Sequence, residues 1–144
     1  MIRRAAVLLL LVAIGCASSS SSHAQPEIQL VQVSSVAEAA RNVTGGIPVQ
    51  FRVTIHNTTP AALQLRHIEL VSQGDGAYNL QTISRAYDQA IETGVTQSFD
   101  LWGSANVAFA TISGANGPVT IRAVVQFDGF QSVVVQQVHA TGGV

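Results

Sequence analysis

A chain of 144 residues, 47% hydrophobic and only 10% charged, is long enough to close one apolar core without a metal or disulfide. Its seven basic residues are all Arg, and without Arg3 and Arg4, which lie in an export-type leader, the formal charge of −1 becomes −3. No basic cluster is left for nucleic acid or for an anionic lipid surface, so both are excluded as partners. Polarity comes mainly from Gln, Ser, Thr and Asn, a composition that suits a sheet protein outside the cytoplasm.

Arg3 and Arg4 precede the apolar run Ala5 to Ile14, a positively charged and then hydrophobic leader too short to span a bilayer as a helix. It ends in Ala13-Ile14-Gly15-Cys16, which resembles the lipobox of bacterial lipoproteins. That resemblance implies cleavage before Cys16, a lipid on its sulfur and, with Ala17 where inner-membrane retention uses Asp, sorting to the outer membrane. Cys16 is the sole cysteine, which excludes an internal disulfide and leaves a lipid acceptor as its simplest use. Ser22-His23-Ala24 before Gln25 also offers small residues to an ordinary signal peptidase, which would release a secreted or periplasmic soluble protein. An uncleaved membrane anchor is a third reading. Between Ala17 and Pro26 the serine run 18–22 forms a tether with a reach of roughly 15 to 20 Å.

The folded domain is expected to begin at Glu27. Ile28 to Ser34 reads as a strand, with Ile28 and Leu30 on one face and Val31 and Val33 on the other, a slip that suggests a bulge or burial on both sides. Residues 36–42 carry Ala-Glu-Ala-Ala and read as one helical turn. From Pro48 onward Val49, Phe51, Val53 and Ile55 alternate with Gln50, Arg52, Thr54 and His56, the period of a half-buried strand. Asn57-Thr58-Thr59-Pro60 is a turn, and Leu63 and Leu65 resume the alternation. The odd spacing from Leu65 to Ile68 flips the face, which a bulge at Arg66-His67 restores; a strand crossing between sheets is the alternative. Beyond the turn at 73–76, Tyr78 to Ile83 reads as a short strand, Ser84 to Glu92 as a connection or helical turn, Val95 to Trp102 as a strand with Val95, Phe99 and Leu101 on one face, and Asn106 to Ile112 as another. The clearest signal closes the domain: Val119 to Phe127 and Phe130 to Val138 around Asp128-Gly129 form a hairpin with a two-residue type I′ turn, pairing Phe127 with Phe130 and Val119 with Val138.

These elements predict an all-β fold: a single antiparallel, immunoglobulin-like β-sandwich of seven or eight strands, with a small barrel as the runner-up. Residues 1–15 are signal, 16–26 the lipidated Cys and tether, 27–139 the sandwich and 140–144 a frayed tail. The run Phe51 to Leu65, followed downstream by Ile91-Glu92-Thr93-Gly94 and a new strand, resembles immunoglobulin-like modules, specifically the late-embryogenesis-abundant type 2 and water-stress-response domains and bacterial cell-surface adhesion modules. Neither family implies catalytic residues.

No residues are assigned to catalysis, metal or cofactor. His56 and His67 are two candidate ligands where zinc needs three or four, Asp75 and Asp128 each precede Gly as turn residues do, and no Gly-x-Ser-x-Gly elbow exists. Trp102, Tyr78 and Phe130 are the candidate binding anchors, because exposed aromatics dominate interaction hot spots. The expected function is a non-catalytic envelope lipoprotein whose sandwich binds an envelope protein, a glycan or another copy of itself, with a carrier of an apolar ligand as the alternative.

Overall fold

The long alternation after Gly46 does form a strand. In the computed structural model, which describes residues 24–34, 46–106 and 117–139, Ile47–His56 buries Ile47, Val49, Phe51, Val53 and Ile55 and turns Pro48, Gln50, Arg52, Thr54 and His56 outward. Eight strands are described: β1 (Glu27–Gln32), β2 (Ile47–His56), β3 (Leu63–Gln73), β4 (Asn79–Leu80), β5 (Ile83–Ile91), β6 (Thr96–Asn106), β7 (Val119–Phe127) and β8 (Phe130–Val138). They form two antiparallel sheets, β1-β2-β6-β4 and β5-β3-β7-β8, with no helix among the described residues. With β1, β2 and β6 in one layer and β3, β7 and β8 in the other, the strand order is the immunoglobulin-type sandwich. Between the layers Leu30, Phe51, Ile55, Leu65, Ile68, Leu70, Ile91, Leu101 and Ile121 are fully buried.

Two of the sequence's local signals are reproduced in detail. The register of β3 shifts between Leu65 and His67 against both neighbours: Arg66 is the extra residue of a bulge against β7, while on the other side Tyr87 and Asp88 of β5 stand opposite it, and Ile68 and Leu70 return to the core face. The β7–β8 hairpin pairs Phe127 with Phe130, Val125 with Ser132, Ala123 with Val134 and Val119 with Val138, and the two Phe rings stack with centroids 4.9 Å apart.

Other expectations are corrected. The Asn57 turn does not join paired strands: β2 and β3 belong to opposite sheets, and the turn is a corner between layers. Positive φ occurs at Gly129 (84°) but, among the described residues, at no non-Gly residue, so Asp128-Gly129 is not a type I′ turn, which would require it at both positions. The region from Ser84 to Glu92 is neither connection nor helical turn but strand β5. It lacks a clean period because it is an edge strand with an irregular register, and Arg85 and Gln89 are exposed even though they pair with the core residues Ile68 and Leu65. Of the strand expected from Tyr78 to Ile83, only Asn79–Leu80 pair with β6, and Ile83 begins β5 opposite Leu70. In β1 Val31 is 46% exposed while Gln32 is buried; the strand alternates normally, with a glutamine at a core position. Val95 precedes β6 and is exposed. The helical turn expected at 36–42, the strand expected after Asn106, Cys16 and the tail at 140–144 lie outside the described residues.

The corners between layers are fastened by Asn57, a buried polar residue. Its Oδ1 accepts from the Thr59 backbone N–H at 2.9 Å and the Thr59 hydroxyl at 2.6 Å, an Asx turn. Its Nδ2 donates to the carbonyls of Ala61 and Ile91, each at 2.8 Å. Because both of those partners are acceptors, the amide orientation is fixed. The Asn57 backbone meanwhile bonds to Val95 and Gly94, so one residue ties the β2–β3 corner to the β5–β6 corner.

Candidate functional site

The outer face of the first sheet is polar and largely satisfied within itself. Register places Arg52 opposite Asp100, Thr54 opposite Ser98 and His56 opposite Thr96. Arg52 donates to both Asp100 oxygens, at 2.7 and 3.0 Å, and the other pairs bond at 2.9 Å each. Bonding to Arg52 holds the Asp100 carboxyl below its ordinary pKa. A shallow depression of about 260 Å³ on this face is lined by Glu27, Gln29, Thr54, His56 and Thr96.

The three candidate anchors do not converge. Trp102 is on this outer face, 55% exposed and opposite Gln50, but six strand positions, about 20 Å, separate it from Thr96 at the depression. Phe130 is 39% exposed at the hairpin end of the second sheet, beside a depression of about 420 Å³ that Arg66, Gln126, Phe127, Gly129 and Gln131 also line. Tyr78 is corrected: it is 2% exposed and donates its hydroxyl to the buried Gln32 Oε1 at 2.6 Å. An inward glutamine supplies the acceptor that lets a tyrosine be buried, and burial raises the Tyr78 pKa well above its ordinary value. It is a structural residue, not an anchor.

Other ionisable groups are engaged at the bulge. Arg66 donates to both oxygens of Asp128, at 2.7 and 2.9 Å, and pairs with Asp88, joining the bulge to the hairpin turn and to β5. Asp128 is held below its ordinary pKa by that bonding. Among the described residues no group of three or more His, Cys, Asp or Glu side chains is placed to share a metal ion.

A feature that single residues do not reveal is that, among the described residues, β8 has a paired neighbour on one side only. In the order β5-β3-β7-β8 the last strand is terminal. It spans nine residues, Phe-Gln-Ser-Val-Val-Val-Gln-Gln-Val, with no charge and no proline. Val133 and Val135 are 46% and 55% exposed on its outer face. The remaining edges are guarded: β1 has six residues and begins with Glu27, β4 has two, and β5 carries Arg85, Asp88 and an irregular register. Shortness, charge and bulges are the devices that stop a sheet edge from pairing with another chain, and β8 has none of them.

No family model and no curated protein match this chain. Among solved structures it is similar to the crystal structure of a FixG-related protein from Vibrio parahaemolyticus, at 15% identity over 81% of this chain and 96% of that one, with a TM-score of 0.38. That likeness is too distant to bear on function.

Proposed function

We propose that this protein is a non-catalytic module of the bacterial cell envelope, exported by its leader, anchored to the outer membrane through a lipid on Cys16, and working by association at the terminal strand β8 of its second sheet. The observation that carries the binding part is β8, a nine-residue terminal strand without charge or proline. Strand addition draws its affinity from main-chain hydrogen bonds and its selectivity from alternate side chains. The anchoring part rests on the order Arg3-Arg4, apolar run, Gly15-Cys16 and serine tether. That the ion pairs are spent on fastening strands, and that the anchors are dispersed, supports a surface-binding role over a catalytic one.

Two measurements on the full chain in isolated membranes test the reading. Cys16→Ser should release the protein from the membrane fraction and remove the lipid mass; retention with unchanged mass overturns anchoring. The hairpin's two-residue loop makes Phe127–Phe130 a hydrogen-bonding pair, so Gln131, Val133, Val135 and Gln137 direct their N–H groups away from β7. Mass-resolved hydrogen exchange should show these amides slowed at least tenfold relative to unprotected rates. Exchange at the unprotected rate overturns association through this edge.

A further inference from the structure

We infer that the occupant of the β8 edge is β8 of a second copy of this chain, paired antiparallel about a two-fold axis at Val134. This rests on the edge-association reading above and names its partner. From 131 to 137 the strand reads Gln-Ser-Val-Val-Val-Gln-Gln, and reversed it reads Gln-Gln-Val-Val-Val-Ser-Gln; the two differ only at the Ser132 and Gln136 positions. A two-fold interface requires such self-complementarity, since residue i meets j while j meets i.

With the axis at Val134, each exposed valine finds the other: Val133 of one copy faces Val135 of the next. Gln131 faces Gln137, Ser132 faces Gln136 and Phe130 faces Val138. Shifting the axis by one residue, to Val133, sets Val135 against Gln131 and loses the match. The backbone agrees with the favoured register, because the residues whose N–H and C=O groups face away from β7 are 131, 133, 135 and 137, and the axis at 134 pairs these only with one another. That supplies about eight intermolecular backbone hydrogen bonds. A strand with no charge also meets no like charge in its copy, a repulsion that would oppose the pairing of charged edges. The product is a continuous eight-stranded sheet in which Val133 and Val135 of both copies lie side by side on the outer face, beside the buried Val124 that pairs with Val133.

The test is disulfide trapping in the full-length chain carrying Cys16→Ser, so that an introduced thiol is the sole one. Val134→Cys should form a covalent dimer on mild oxidation, because the two Val134 positions meet on the axis as a non-hydrogen-bonded pair with Cα atoms about 4.5 Å apart. Gln131→Cys should not, since its two copies are six strand positions apart, about 20 Å. Equal trapping of both variants, or of neither, overturns the proposal. Sedimentation equilibrium of the full chain in detergent supplies the second arm. The unmodified sequence should show twice the monomer mass; V133K/V135K, which sets Lys against Lys at solvent-exposed positions, should halve it; V133K/V135E should restore it. A monomer throughout, or a V133K/V135K chain that stays dimeric, overturns the pairing. If the edge amides are protected in membranes while Val134→Cys is not trapped, the second copy is refuted and edge association by another strand stands; if the amides exchange freely, both readings fail.

Discussion

Removing the Asn57 side chain tests whether the corners of this sandwich are held by one buried amide. In Asn57→Ala, four side-chain hydrogen bonds are lost, to Thr59 N, Thr59 Oγ1, Ala61 O and Ile91 O. Ala61 is exposed, and the Thr59 hydroxyl, whose single proton lies within reach of both Asn57 Oδ1 and Ala61 O, can give it wholly to Ala61 O, so neither group is stranded. The Thr59 N–H and the Ile91 carbonyl belong to buried residues, and each orphaned group costs about 1 to 3 kcal/mol. The sum is about 2 to 6 kcal/mol, a large share of a domain's total stability. Urea unfolding of the full chain, followed by far-ultraviolet circular dichroism, should show the midpoint falling by roughly 2 M, taking a slope of about 1 to 3 kcal/mol per M. Asn57→Asp sharpens the test. It keeps the oxygen that serves Thr59 but turns a second oxygen toward two carbonyl oxygens, so the folded state favours the protonated acid. A raised folded-state pKa gives stability that is present below the unfolded value near 4 and lost as pH rises, so Asn57→Asp should be more stable at pH 4 than at pH 7 relative to the parent. If both variants unfold within 1 kcal/mol of the parent, the amide does not fasten the corners.

Three further outcomes follow from the packing. Gly103 lies on the inward side of β6 where a Cβ would overlap Cγ1 and Cδ1 of the buried Ile83 from the other sheet; Gly103→Ala should cost about 1 to 3 kcal/mol in urea unfolding, and Ile83→Val should recover part of it. Tyr78→Phe withdraws the donor that Gln32 Oε1 accepts and should cost about 1 to 2 kcal/mol; because burial raises the Tyr78 pKa, its contribution is intact below the free-tyrosine value near 10 and is lost as pH climbs above it, a decline absent from Tyr78→Phe. Arg66→Ala should change neutral-pH stability little, as exposed ion pairs contribute little. The depressed Asp128 pKa means that its contribution is present above the ordinary Asp value near 4 and lost as pH falls, and that acid sensitivity should disappear with Arg66, as read by acid titration of unfolding.

What the sequence made legible was decided by how local each cause is. β2, β7 and the hairpin register were readable because alternation and a two-residue loop are properties of neighbouring residues. The bulge was readable because an odd spacing between Leu65 and Ile68 leaves few ways to keep both in one core. β5 was hidden because an edge strand has water on parts of both faces, which erases the period. Tyr78 was misread as an anchor because its burial depends on Gln32, 46 positions away in sequence. Trp102 lies on the outer face, as its position next to the inward Leu101 in an alternating strand requires. The β8 strand was legible as half of a hairpin, but its edge status was not, because it depends on which strands the second sheet contains.

The distribution of charge across the sandwich makes the β8 edge more than an accident of composition. With so few charged residues, where they fall matters: Arg66, Asp88 and Asp128 meet at one end of the second sheet, Arg85 and Asp88 guard β5, Glu27 begins β1 and Arg52 pairs with Asp100 on the first sheet. The bulge they fasten lies opposite Gln126 and Phe127, hence beside the hairpin tip, and increases the local twist there. Against β7, strand β8 runs in unbroken register from Phe130 to Val138, so the irregularity on the β3 side of β7 does not interrupt the self-complementary segment around Val134. Only a regular backbone can keep alternate N–H groups aimed outward over enough residues to template another strand. Charge and distortion thus occupy the places that would otherwise pair without specificity, and the strand left regular and neutral is the one whose sequence is complementary to itself.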